Sequence, residues 1–193
     1  MTQQDPRDPN IVYTESQGGN MGRSNLATGE RQSLGRPNWR DSYRILQDSI
    51  AMVWPDSMQP MPSEHADRIA ELQARATADS ASLQLRFNWN TPYLLSPNNP
   101  DVVYAGANRV LKSTNMGDDF VPISPDLTRA DAEQIEISST TTGGITPDVT
   151  GAERFATIVS LNESPLRAGS LYAGTDDGNV WASPDDGATW IDL

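Results

Sequence analysis

Apolar and polar residues fall into short runs broken by turn formers along most of the chain. Toward the C-terminus the runs cover 155–161, 170–174, 179–183 and 189–193. Between them lie Asn162-Glu163-Ser164-Pro165, Asp176-Asp177-Gly178 and Pro184-Asp185-Asp186-Gly187. Runs this short, rich in Val, Leu, Ile, Tyr and Trp and punctuated by Gly, Pro and Asp, predict strands joined by hairpins. A second set covers 91–96, 102–105, 109–113 and 119–123.

The two sets are copies of each other. Ser96-Pro97 and Asp101-Val102-Val103-Tyr104-Ala105-Gly106 recur 68 residues later as Ser164-Pro165 and Gly169-Ser170-Leu171-Tyr172-Ala173-Gly174. After a two-residue insertion, Arg109 to Gly117 aligns with Asn179 to Gly187, and Phe120 with Trp190. A weaker copy opens the chain, where Pro9-Asn10-Ile11-Val12-Tyr13 matches Pro100-Asp101-Val102-Val103-Tyr104. Four short antiparallel strands per repeat is the blade of a β-propeller. The first unit reads as lacking its opening strand, so the expected count is about two and three-quarter blades where closure takes at least about four. The predicted fold is all-β: a propeller segment of about three four-stranded antiparallel blades with a helical-hairpin insertion. Its parts are a partial blade over 1–35, the insertion over 36–84, a blade over 85–126, and a blade with a long leading loop over 127–193. A repeat cannot bury its own faces, so the expected partners are further blades or other chains that complete the ring.

Within 36–84 the period changes. Trp39, Tyr43, Leu46, Ile50 and Val53 form one helical stripe after a cap at Asn38, and Pro55 ends it. Ser63 opens a second amphipathic stretch with Ile69, Leu72 and Ala76 on one face. The spacing is that of packing helices, and neither polar face has the Lys-rich character of a membrane-surface helix. His65, the single histidine, lies in its first turn.

The sharpest local motif is Ser183-Pro184-Asp185-Asp186-Gly187-Ala188-Thr189-Trp190, of the form S-x-D-x-G-x-T-W. Its hydroxyl and carboxylate suit the amides of a tight turn, Gly187 suits a positive φ, and Trp190 supplies packing surface. Ser113, Asn115, Gly117 and Phe120 form a degenerate copy. The frame is not that of a calcium loop, because Ala182 occupies the first ligand position. A structural hairpin is the expected role of Ser183, Asp185, Gly187, Thr189 and Trp190.

These two motifs resemble Asp boxes, or BNR repeats, which occur in sialidases, xyloglucanase-type glycoside hydrolases and sortilin-type propellers. The text around them is similar to the sortilin-like group of large bacterial proteins often labelled glycosyl hydrolase. It does so at Tyr13 to Gly19, Leu85 to Pro92, Ile123 to Thr128 and Tyr172 to Gly178. The resemblance implies a propeller and an extracytoplasmic location, and speaks little to activity, because the box serves binding proteins and enzymes alike.

Composition narrows the function. The 193 residues carry 14 Lys+Arg against 26 Asp+Glu, a formal net charge of −12, which opposes nucleic acid and anionic lipid. No apolar run approaches the ~20 residues of a membrane helix, and the first residues read as no signal peptide. The absence of Cys removes thiol nucleophiles, disulfides and Cys-ligated metal, and no cofactor is implied. A blade meander puts the turns between second and third strands at the same end as the crossings to the next blade. That end gathers the long loops, where binding concentrates. The candidate ligand residues there are Arg86, Asn88, Trp89, Asn90, Asp148, Glu153, Arg154, Asp176 and Asp177. Arg, Asn and an aromatic plane together suit a sugar or a peptide; the competing role has Trp89 filling the core and Arg86 paired with an acid. No catalytic residue is assigned, since no motif selects a carboxylate pair, a serine triad or a phosphate loop. Two readings stand: a non-catalytic propeller module binding protein, peptide or glycan, and part of a glycoside hydrolase, the one enzyme class the residues suit.

Overall fold

The computed structural model describes residues 1–34, 85–140 and 154–193. Twelve strands run through them. They are β1 (Thr2–Gln4), β2 (Ile11–Glu15), β3 (Met21–Asn25), β4 (Arg31–Ser33), β5 (Tyr93–Leu95), β6 (Val103–Gly106), β7 (Val110–Ser113), β8 (Val121–Pro122), β9 (Ile158–Glu163), β10 (Leu171–Thr175), β11 (Val180–Ser183) and β12 (Ile191–Asp192). Each successive four make one antiparallel sheet with neighbours in chain order. The fold is therefore an all-β propeller segment of three four-stranded blades, called blades 1, 2 and 3 below.

Two expectations are corrected. The first blade has its opening strand, because β1 pairs with β2 through Gln3↔Tyr13. Its polar text, Thr2-Gln3-Gln4, carries no alternation to read. Gln3 works by hydrogen bonding instead, donating Nε2 to the Tyr93 carbonyl at 3.0 Å and accepting from the Leu95 amide at 2.9 Å. The span between blades 2 and 3 is also not loop throughout, since α1 (Ala132–Thr140) lies in it. Asp131 caps this helix, its Oδ1 accepting the Gln134 amide at 3.0 Å. The predicted helical hairpin over 36–84 lies outside the described residues.

Blade 2 is buried on both faces, which is why Val102-Val103-Tyr104-Ala105 reads as one continuous apolar run. Its strand residues alternate between two cores. Tyr93, Val103, Ala105 and Leu111 pack with Tyr13, Met21 and Leu34 of blade 1. Val102, Tyr104 and Val110 pack with Ile158, Leu161, Leu171 and Ala173 of blade 3.

The same contact closes both boundaries. In the β7–β8 turn Ser113 Oγ accepts the Gly117 amide at 3.0 Å, and in the β11–β12 turn Ser183 Oγ accepts the Gly187 amide at 2.8 Å. Asp185 adds bonds to the Thr189 amide at 2.8 Å and hydroxyl at 2.7 Å. These bonds hold Gly117 at φ 89° and Gly187 at φ 88°. Each glycine then sits on the residue that ends the preceding blade. A Cβ on Gly117 would lie 2.7 Å from Leu34 Cδ1, and one on Gly187 2.6 Å from the Ile123 carbonyl oxygen. Trp190 Nε1 donates to that same carbonyl at 3.1 Å.

Charged groups fix the register of the seat. Arg23, on β3, donates to the Met116 carbonyl at 2.7 Å and pairs with Asp118 at 2.9 Å. Lys112, at the equivalent place on β7, pairs with Asp186, which also accepts the Tyr104 hydroxyl at 3.0 Å.

Gly187→Ala is predicted to combine a left-handed-region penalty of ~1–2 kcal/mol with a steric cost of ~1–3 kcal/mol. Gly29→Ala has the same kind of φ, 76°, but open space around its Cβ, so it should cost the first contribution alone. Urea unfolding of both variants checks the difference.

Candidate functional site

Because each blade is a meander, the β2–β3, β6–β7 and β10–β11 turns share one end with the segments that lead into β5 and β9. Phe87 anchors the segment into β5 by burying its ring against Gly19, whose added Cβ would lie 2.5 Å from Phe87 Cδ1. With Phe87 inside, the next residues turn outward. Trp89 is 36% exposed, so it does not fill the core, and Asn90 is exposed beside it.

Arg86 is a staple rather than a free arm. Its guanidinium donates to the Ala156 carbonyl at 3.0 Å, Asp126 Oδ2 at 2.9 Å and Thr128 Oγ1 at 3.0 Å. Its amide donates to Asn108 Oδ1 at 2.9 Å. One side chain thus ties the approach to β5, the exit from β8 and the approach to β9. Asp126 is the hub, accepting also from Asn108 Nδ2 at 2.7 Å and Thr128 Oγ1 at 2.6 Å.

A second chain of bonds crosses from blade 2 to blade 3. Asn88 Nδ2 donates to Thr157 Oγ1 at 3.0 Å, and Thr157 donates its hydroxyl and its amide to Asp176, each at 2.9 Å. Asn88 Oδ1 accepts the Asn90 amide at 3.2 Å, which shapes the loop carrying Trp89. Asp177 is buried and accepts the Arg129 amide at 2.7 Å and the Thr175 hydroxyl at 2.5 Å. On the blade 1 side, Glu15 Oε1 accepts the amides of Gly19 at 3.3 Å and Thr91 at 3.4 Å. Arg154 is exposed, at the start of the segment that leads into β9. Asp148 and Glu153 lie outside the described residues.

The end is therefore a scaffold of tied polar groups beneath an exposed Trp89 and Asn90. Sequence reasoning missed Glu15, Asn108, Asp126, Thr128 and Thr157. They are isolated polar residues, Glu15 at the end of β2 and the others in connecting segments, and their bonds to Arg86, Asn88 and Thr91 appear only in the folded chain. Among the described residues no group of three or more His, Asp or Glu is placed to hold a metal ion. None of the described helices is long and apolar enough to cross a membrane.

The two inner carboxylates are pushed in opposite directions. Burial works to raise Asp126, but bonds from Thr128 and Asn108 and the charge of Arg86 outweigh it, and its pKa is lowered. At Asp176 burial prevails over the bonds from Thr157, and its pKa is raised.

No family model matches the chain, and no curated protein matches it. Among solved structures, an ancestral GH74 enzyme aligns over 100% of this chain at 13% identity and a TM-score of 0.49, the chain spanning 18% of that enzyme. The GH74 enzyme of Niastella koreensis aligns over 100% at 15% identity and a TM-score of 0.39, with 22% of its length spanned. The chain thus spans about a fifth of the length of these structures.

A lowered Asp126 lends stability that is complete above the ordinary carboxylate pKa of about 4 and is lost as pH falls through its own lower value. Asp176 acts oppositely, its contribution being lost as pH rises through its raised value. Asp126→Asn is expected to cost on the order of 1–3 kcal/mol near neutral pH, by leaving Arg86 without its carboxylate. The same variant should lose less stability than the parent on acidification from pH 5 to 3. Chemical unfolding across that range checks both.

Proposed function

We propose that this chain is a non-catalytic propeller module that binds a ligand at the loop end, with Trp89 as its apolar platform and Asn90 as the adjacent polar contact. The observation that carries the reading is the state of the carboxylates. Asp126, Asp176 and Asp177 are each held by internal donors. Acid–base work on a glycosidic bond needs two carboxylates free to face the substrate across ~5 to 9.5 Å. Carboxylates spent on holding loops instead build a rigid surface under an exposed aromatic. A rigid aromatic beside amide groups suits the apolar face and hydroxyls of a sugar, or an extended peptide. The resemblance of the turn motifs to Asp boxes agrees with this, since the Ser183, Asp185 and Thr189 bonds all serve the turn. An extracytoplasmic location goes with the same reading.

Oligosaccharides of plant and bacterial walls form the first panel and short peptides the second, followed by calorimetry and by release of reducing ends. Binding without turnover is expected. Trp89→Ala should weaken it at least about tenfold, the equivalent of about 1.4 kcal/mol, with folding intact. Release of reducing ends, lost on Asp176→Asn, would instead favour the hydrolase reading.

A further inference from the structure

Two equivalent positions at the loop end carry different chemistry. Asn108 in blade 2 and Asp176 in blade 3 stand 68 residues apart, the offset that relates Tyr104 to Tyr172. Each receives an amide from the segment entering its own sheet. Asn108 Oδ1 accepts the Arg86 amide at 2.9 Å, and Asp176 Oδ1 accepts the Thr157 amide at 2.9 Å. An uncharged side chain therefore performs this structural duty in blade 2. The carboxylate in blade 3 brings a proton-binding group that the duty does not need.

That group acts on the Thr157 hydroxyl, which is fully buried. A hydroxyl has one proton to give and two lone pairs. Two acceptors compete for the Thr157 proton, Asp176 Oδ2 at 2.9 Å and the Arg154 carbonyl at 3.3 Å. Asn88 Nδ2 donates to Thr157 Oγ1 at 3.0 Å. With Asp176 ionised, the hydroxyl proton goes to the carboxylate. With Asp176 protonated, the carboxyl donates to Oγ1 and the hydroxyl proton turns to the Arg154 carbonyl. A hydroxyl that donates to an anion is the more polarised, and hence the stronger acceptor for Asn88. Asn88 in turn accepts the Asn90 amide at 3.2 Å, on the far side of Trp89.

We infer that Thr157 and Asp176 are positioning residues for Trp89 and form a proton-operated switch, in which a proton on Asp176 reverses the Thr157 hydroxyl and slackens the hold of Asn88 on the Trp89 loop. The consequence for a ligand rests on the proposed role of Trp89 as the platform: binding weakens on acidification. The charged neighbours are Asp177 beside Asp176, Arg86 on the Ala156 carbonyl with its partner Asp126, Arg129 on Asp177 and Asn179, and the exposed Arg154. Burial and the adjacent Asp177 raise the Asp176 pKa against the bonds from Thr157, so the switch works above the ordinary carboxylate range.

The test needs no ligand. The full chain is labelled with 5-fluorotryptophan, and Trp89→Phe assigns the Trp89 signal among the five tryptophans. The Trp89 fluorine resonance is expected to move in one step on acidification, with its midpoint above that of an ordinary carboxylate. Thr157→Ser keeps the hydroxyl and should keep the step, whereas Thr157→Val should abolish it. Asp176→Asn presents an amide donor toward Oγ1, as the protonated carboxyl does, and should hold the resonance near its low-pH position throughout. A resonance that does not move, a step that persists in Asp176→Asn, or a step that survives in Thr157→Val overturns the switch. Failure of every saccharide and peptide to bind would instead sink the platform reading, and the fluorine titration still decides the switch.

Discussion

The fold depends on a close approach of a turn backbone to the neighbouring blade that only glycine permits, at Gly117 to the Leu34 side chain and at Gly187 to the Ile123 carbonyl. A two-residue gap in side-chain volume, at Gly117 and Gly187, lets a hairpin from one blade settle on the last residue of the blade before it. Ser113 and Ser183 hold the glycine amides from within the turn, so local bonds support the conformation that the interblade contact needs. Tyrosine, a β-branched or thioether side chain, and a cation then fill the space around the seat. Local turn chemistry and long-range packing thus specify the same register, as a foldable sequence requires.

This arrangement gives the two ends of the blades different work. The end carrying the glycine turns is spent on cohesion, through Tyr104, Lys112 and Asp186 across one boundary and Arg23 and Asp118 across the other. Arg7 strengthens the first boundary further by pairing with Asp101 at 2.6 Å. The opposite end is left to the loops. There Arg86 and Asn88 bond the approach of blade 2 to that of blade 3, beneath the exposed Trp89. Residues beneath the exposed Trp89 are polar because they join loops, whose backbone groups have no sheet partners.

Much of the fold was legible because a repeat shows itself twice. The offset between Tyr104 and Tyr172 located two blades, and the Ser113 and Ser183 motifs located their hairpins. The opening strand β1 escaped because Gln3 contributes by hydrogen bonds, which leave no periodic trace. Helix α1 escaped because its text, Ala132-Glu133-Gln134-Ile135-Glu136-Ile137, has too few apolar residues to form a stripe. At the loop end the residue types were visible and their roles were not. Arg86 suited a ligand as well as it suited Asp126, and 40 residues separate that pair along the chain. Of the two roles open to Trp89, filling the core falls to Phe87 instead, and neighbouring aromatics in a turn give no sign of which one points inward.

The central claim is that blades are stabilised by being seated between neighbours, so that burial on both faces makes blade 2 the most stable part. Native-state hydrogen exchange measures this directly, strand by strand. The account predicts that amides of β6 and β7 exchange only through global unfolding, with lower opening free energies in β2 and β3 and in β10 and β11, and the lowest in β4 and β12. Equal protection in all three blades, or greater protection in either outer blade than in blade 2, would contradict it.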